Sequence, residues 1–233
     1  MTNTDSPAST LKLIRCGIDD PGRALGLHSG DVLLAVGGKA WTGSAQAFRA
    51  RVAQGKKPEA LSFLRGDSVL TVLSDSGDLG RWESVPPPAA QVPAIGHVEQ
   101  LCNWEVMAHP DGTHDLFPQR PSLLALLAPP LWMAQARLFS LLTTLFAALA
   151  LALPGGALLM AGVWIAAGLH LWRNGVNHVR QDRQQTGYRT RGVVAARNET
   201  EARNAWSAIS PGTRFRFDSP QAHTSLSTEA TAS

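Results

Sequence analysis

A long, almost uncharged stretch constrains this chain more than any other feature. Between Leu123 and Trp172 one side chain, Arg137, carries a full charge, whereas the flanking segments have the mixed composition of soluble protein. The mean hydropathy of the whole chain, −0.05, hides this asymmetry. Because such a stretch has too few polar residues for a solvent-facing surface, it predicts a membrane segment rather than the alternative, a buried helical hairpin in a soluble protein.

The apolar stretch divides into two parts, residues 138–153 and 157–172, joined by the turn Pro154-Gly155-Gly156. Sixteen helical residues cover about 24 Å, which is less than the ~30 Å hydrocarbon core of a bilayer. We therefore expect the first helix to begin near Leu131, so that residues 131–179 form an all-α transmembrane hairpin with two spans. A re-entrant hairpin that stops within the bilayer is the alternative.

Arginines lie on one side of this predicted hairpin, and its Pro-Gly-Gly tip is uncharged. The positive-inside rule then places both termini in the cytoplasm and makes the chain a multi-pass protein of a bacterial-type inner membrane. The polar, acidic residues 1–10 do not resemble a secretory signal, which agrees with this orientation. The residues expected at the membrane interface are Trp132, Arg137, Trp172, Arg173 and Arg180.

The basic character of the chain, with a pI of about 9.2, indicates anionic lipid headgroups as a partner of these arginines. Nucleic acid is disfavoured because no aromatic residues are interleaved with the basic ones. Cys16 and Cys102 lie far apart in sequence and form no CxxC pair, which is compatible with a reducing compartment.

The first third of the chain alternates short apolar runs with turn residues. A strand is expected at Leu11, Leu13 and Ile14, a second at residues 32–36, and a helix capped by Ser44. Two further strands, residues 61–64 and 69–73, are joined by a hairpin turn at residues 65–68. This alternation predicts a small β-rich domain over residues 11–80.

The sequence of residues 24–38, ALGLHSGDVLLAVGG, resembles the signature of bacterial PDZ domains, and the match continues to the hairpin turn at Arg65. The resemblance implies a peptide-binding groove between a strand and a helix, at Leu11, Leu13, Ile14, Ala47 and Ala50. The family's Gly-apolar-Gly-apolar carboxylate loop is replaced here by residues 6–10, SPAST. The resemblance therefore implies binding of an internal segment of a partner rather than of its C-terminus.

The remaining segments complete an α+β organisation. Residues 81–102 read as a Pro-rich linker, 103–130 as a membrane-proximal segment, 180–210 as a cytoplasmic basic segment with a short helix, and 211–233 as a disordered tail. Residues 103–208 resemble a bacterial family of small two-span inner-membrane proteins of unknown function. Trp104-Glu105-Val106, Trp132 and the stretch from Asn177 to Tyr188 carry that resemblance.

No catalytic, metal-binding or cofactor-binding motif stands out, so we expect neither an enzyme nor a small-molecule substrate. His170 lies near the expected interface and is read as a polar anchor, with a haem or pigment ligand as the alternative. These features together predict a membrane-anchored interaction module, an accessory or assembly subunit of an inner-membrane protein complex. Two alternatives stay open: an adaptor of a membrane-associated protease or quality-control system, and an enzyme whose chemistry the motifs do not reveal.

Overall fold

A computed structural model describes residues 9–216 apart from Ile18 and Lys56. The predictions for residues 1–8, including most of the SPAST loop, and for the tail beyond residue 216 fall outside the described residues. The described part is a mixed α+β structure with two β-sheets and a long apolar helical segment. The predicted α+β class is confirmed at this level.

The strands in chain order are β1 Thr10–Arg15, β2 Val32–Val36, β3 Lys39–Ala40, β4 Glu59–Arg65, β5 Ser68–Ser74, β6 Arg81–Val85, β7 Cys102–Ala108, β8 Thr113–Pro118, β9 Arg189–Ala196 and β10 Arg214–Phe215. The helices are α1 Pro21–Ala24, α2 Ala45–Gln54, α3 Leu123–Leu127, α4 Pro129–Gln135, α5 Phe139–Ala152, α6 Gly156–Gln185 and α7 Glu199–Ile209. Short 3₁₀ turns lie at Val98–Gln100 and Leu153–Gly155.

The first sheet, sheet A, is antiparallel and has the strand order β5-β4-β2-β1-β6, with β3 paired to β2. Its β4–β5 hairpin closes through a two-residue loop, because Arg65 pairs with Ser68, and Gly66 takes a φ of 59° there. Along β5 the alternation of side chains buries Leu70 and Val72. The predicted hairpin is confirmed.

The sixth strand of sheet A comes from the segment predicted to be a linker. β6 pairs antiparallel with β1 over its whole length, from Thr10 opposite Val85 to Arg15 opposite Arg81. β1 also pairs with β2 on its other side. β1 is therefore an interior strand, and a domain cut at residue 80 would lack its neighbour.

The second sheet, sheet B, has the order β10-β8-β7-β9. β7 precedes the apolar helices and β9 follows them, yet the two strands pair antiparallel from Cys102 opposite Ala196 to Ala108 opposite Arg189. Sheet B therefore joins the segment before the apolar helices to the segment after them, at the base of these helices. No local pattern predicted a partner for residues 103–130, since this pairing joins strands that are distant along the chain.

The two sheets pack on each other and share one hydrophobic core. That core joins Leu11 and Phe63 of sheet A to Val106 and Val193 of sheet B. The side-chain amide of Asn103 bonds the backbone N–H of Leu73 at 2.8 Å and its carbonyl at 2.9 Å, extending the edge of β5. The Pro-rich residues between β6 and β7 therefore connect two packed layers rather than spacing them apart.

The apolar region is broken into more helices than expected. α4 ends at Gln135 and α5 begins at Phe139, and between them Arg137 takes a φ of 59°, outside the helical range. The expectation of one helix running from Leu131 through the apolar stretch is therefore wrong. At the other end α6 continues to Gln185, well past the predicted limit of the hairpin.

One helical segment, Phe139–Gln185, is long and apolar enough to cross a membrane. Within it the 3₁₀ turn and Gly156, with a φ of 81°, separate α5 from α6, and these two helices pack together. In the most apolar 18-residue window of this segment, 6% is buried inside the protein. The division of the segment into two separate membrane spans stays a prediction.

Candidate functional site

The outer strand of sheet A presents an unpaired edge. Among the described residues β6 pairs with β1 alone, and α2 lies beside it, with the ring of Phe48 5.5 Å from that of Trp82. The backbone N–H and C=O groups along such an edge are available to a further strand. The edge of β6 and the neighbouring helix α2 are therefore a candidate site for strand addition.

The groove predicted from the sequence was assigned to the wrong strand. Leu11 and Leu13 are core residues, 1% and 0% exposed, and both edges of β1 are paired. Ile14 is partly exposed, and Ala47 and Ala50 are exposed on α2. Because β6 covers β1, the outer edge on that side of sheet A belongs to β6.

Aromatic residues fill the space between α2 and sheet A. Phe48 makes edge-to-face contacts with Trp41 and Trp82, and the ring of Trp82 stacks near that of Phe63. The buried indole N–H groups of Trp41 and Trp82 have no acceptor among the described residues. An unsatisfied buried donor costs free energy, so the indole N–H groups do not stabilise this region. Trp41 and Trp82 contribute to the packing between α2 and sheet A through their apolar contacts alone.

A buried carboxylate ties sheet B to α6. Glu105 on β7 is 1% exposed and accepts hydrogen bonds from Arg180, Gln119 and Thr190, the shortest from Arg180 and Thr190 at 2.7 Å. Burial alone would raise the pKa of Glu105, but these hydrogen bonds together outweigh it and the pKa is lowered. Glu105 is therefore held as a carboxylate.

A second ion pair lies one turn further along α6. Arg183 donates to Asp115 on β8 at 2.6 Å and to Asp182 at 2.6 Å, and also to the carbonyl of Ala136 between α4 and α5 at 3.3 Å. Both Arg183 and Asp115 are buried. The end of α6 is thus attached to sheet B at two points, and the helices cannot move independently of the sheet without breaking buried charge pairs.

The residues predicted for the membrane interface divide into two groups. Arg137 and Arg173 are exposed, Trp172 is 37% exposed, and Trp132 is half-buried against Gly175. The assignment of Arg180 to lipid headgroups is wrong, because its guanidinium is bound to Glu105.

Large apolar side chains are exposed around the helices. They belong to α3, α4, α5, the 3₁₀ turn and α6: Leu123, Leu127, Leu131, Phe139, Phe146, Leu151, Leu153, Leu158, Leu159, Trp164, Ile165, Leu169 and Trp172. Soluble monomers rarely expose apolar patches of this extent. We call these side chains the apolar surface, and exposure of this extent is typical of a surface that contacts a partner or a membrane.

The short helix α3 packs beside the apolar part of α6. The indole N–H of Trp164 donates to the carbonyl of Leu127 at 3.3 Å, where α3 ends. A Cβ on Gly168 would lie 2.4 Å from the carbonyl oxygen of Leu126, so only glycine permits this approach. In an apolar medium a carbonyl at a helix end needs such a donor, which Trp164 provides.

Two histidines meet on the exposed side of α6. The Nε2 atoms of His170 and His178 are 2.9 Å apart, and Asn174 between them bonds the carbonyl of His170. Within residues 9–216 apart from Ile18 and Lys56, no group of three or more metal-ligating side chains occurs. His170, Asn174 and His178 thus follow one face of α6, and the two roles considered for His170, a polar anchor or a haem or pigment ligand, stay predictions.

No family model, curated protein or solved structure matches this chain. The resemblances to bacterial PDZ domains and to small two-span membrane proteins therefore stay predictions.

Sequence patterns assigned no structural role to the residues that attach sheet B to the helices, above all Glu105, Asp115 and Arg183. No local pattern predicts their pairings, because each pair spans about seventy positions in sequence. β6 had a weaker local signal: Trp82 and Val85, residue types that are common in strands, precede the prolines. The prolines that follow favour an extended linker and obscure this signal.

Proposed function

We propose that this protein is a membrane-anchored interaction module, an accessory or assembly subunit of an inner-membrane protein complex. In this proposal α5 and α6 form a two-span hairpin, and both termini face the cytoplasm. Sheet A acts as a PDZ-like domain that holds an extended segment of a membrane-protein partner. The unpaired edge of β6 beside α2 is the observation that carries the proposal.

The exposed apolar surface supports membrane anchoring. A helix in a soluble core would be mostly buried, whereas this segment buries 6% of its most apolar window. The uncharged 3₁₀ turn lies at one end of α6 and the exposed Arg173 lies towards the other. That asymmetry supports the cytoplasmic orientation of the termini.

The attachment of sheet B to α6 supports a scaffold role. The pairs Glu105–Arg180 and Asp115–Arg183 fix sheet B on the helix, and the shared core fixes sheet A on sheet B. A partner segment bound at β6 would therefore be held at a defined position relative to the bilayer. A flexible tether would not supply this geometry.

The experiment that tests the proposal is site-specific photocrosslinking in cells. A photoreactive residue at the exposed Ser84 on β6 should crosslink to a membrane protein, and one at the exposed Asp67 in the β4–β5 turn should not. The crosslinked partner should copurify with the full chain in mild detergent at constant stoichiometry. Equal crosslinking from both positions, or none from Ser84, would contradict partner binding at β6.

The identity of the partner separates the accessory role from the protease adaptor. A constant-stoichiometry complex supports an accessory subunit. Crosslinks to a membrane protease together with a changing set of its substrates would support the adaptor role and contradict the accessory-subunit role.

A further inference from the structure

A cleft of about 860 Å³ opens at the base of the helices, between sheet B, α3, α4 and α6. We call it the helix-base cleft. Its walls include Phe117 of sheet B, Leu124 of α3, Trp132 of α4 and Val176 of α6, with Arg120 from the loop before α3. Its size and its mostly apolar lining with few charged groups are those of sites that bind organic ligands.

The charges in the helix-base cleft favour an anion. Arg183 on its wall is paired with Asp115 and Asp182, and Glu199 is paired with Arg203. Arg120 is exposed and has no hydrogen-bond or ion-pair partner among the described residues. Its guanidinium is therefore available to an anionic ligand, and guanidinium groups match phosphate geometry well.

The apolar surface continues from this cleft. Leu123, on the cleft wall, is 69% exposed on α3, and Leu127 one turn further is 72% exposed. A ligand with a phosphate at Arg120 can therefore lay an acyl chain along these leucines. A free phosphate ester would leave that apolar wall uncovered.

We propose that the helix-base cleft binds the headgroup of an anionic phospholipid, with Arg120 on its phosphate and α3 along its acyl chain. The proposal rests on the membrane location given above. It assigns a specific lipid site to a loop arginine that lies outside the apolar helices.

The test uses the full chain, delipidated in detergent micelles and titrated with phosphatidylglycerol or phosphatidylcholine of matched chains. Native mass spectrometry counts the bound lipid. We expect phosphatidylglycerol to bind about tenfold more tightly than phosphatidylcholine, because the choline cation of phosphatidylcholine opposes the attraction between Arg120 and the phosphate. Arg120→Gln should remove that difference, because it removes the positive charge that distinguishes the two headgroups. The control Arg191→Gln removes an exposed arginine of sheet B that does not line the cleft, and should leave the difference intact.

Three outcomes would overturn the lipid site: equal affinity for the two lipids, an equal loss in Arg120→Gln and Arg191→Gln, or displacement of the lipid by millimolar glycerol phosphate. Resistance of the protein to alkaline extraction from membranes is measured in parallel on both variants. Retention in the membrane with any of these three outcomes would reject the lipid site alone, whereas extraction of the unmodified protein would reject the membrane anchoring on which it rests.

Discussion

Arg180 on α6 binds the carboxylate of Glu105 on β7 through Nε and Nη2, with N···O distances of 2.7 to 3.1 Å. The carboxylate is buried, and Gln119 and Thr190 complete its hydrogen bonds. This pair connects the soluble sheets to the apolar helices, so a basic residue expected at lipid headgroups instead has a structural role.

Removal of one partner from this pair should destabilise the whole protein. We expect Arg180→Met to cost about 3–5 kcal/mol of unfolding free energy, because it leaves a buried carboxylate uncompensated. The double variant Arg180→Met with Glu105→Gln should recover part of that loss. Denaturant unfolding of the full chain in micelles measures both values.

The matched control for that experiment is the exposed pair Lys57–Glu99, whose side chains are 75% and 69% exposed. Lys57→Gln should leave the unfolding free energy nearly unchanged, because solvent screens an exposed ion pair. A loss in Arg180→Met no larger than in this control would show that the Glu105 pair does not hold the sheets to the helix.

The lowered pKa of Glu105 predicts a dependence of stability on pH. A carboxyl group with a folded pKa below its ordinary value of 4.5 contributes stability above that pH and loses it as the pH falls through the folded pKa. The difference in unfolding free energy between the unmodified protein and Glu105→Gln should therefore be constant near neutrality and shrink below about pH 4.5. A difference that persists unchanged at pH 3 would mean that the charge of Glu105 is not what stabilises the fold.

The close approach of Gly26 and Gly192 predicts a steric effect at the contact between the sheets. A Cβ on Gly26 would lie 2.4 Å from the Cα of Gly192, well inside van der Waals contact distance. Gly26→Ala should lower the thermal midpoint clearly more than Gly66→Ala, which has a similar positive φ but open space around it. Equal shifts of the thermal midpoint in the two variants would mean that backbone strain alone, and not the contact with Gly192, explains the effect at Gly26.

The position of β6 predicts how fragments behave. A fragment of residues 9–80 lacks β6 and loses its contact with sheet B, so it should show no cooperative unfolding transition by circular dichroism. The full chain in micelles should show one. A cooperative transition in the short fragment would mean that sheet A folds without β6 and without sheet B.

The proposed orientation predicts the location of both termini. A reporter before Met1 and one after Ser233 should both read cytoplasmic, because the arginines gather at the base of the helices and the tip is uncharged. A periplasmic reading at one terminus would leave an odd number of spans, and the two-span hairpin would fail.

Short-range sequence patterns determined several secondary-structure elements of this protein. The apolar stretch, the Gly66 hairpin and the capping of α2 by Ser44 were all predicted from short segments, since period, turn residues and caps act within a few positions. The mixed α+β class followed from them.

Only the tertiary structure decided that β6 forms the outer edge beside α2 and which arginines are paired inside the protein. β6 pairs with β1 about seventy positions earlier, β9 pairs with β7 across the apolar helices, and Arg180 pairs with Glu105 at a similar separation. These contacts depend on packing of distant segments and on the cost of burying a charge without a partner, neither of which leaves a local sequence pattern. The sequence by itself determined the first strands, the helix capped by Ser44 and the apolar stretch, and packing determined the outer edge and the charge pairs.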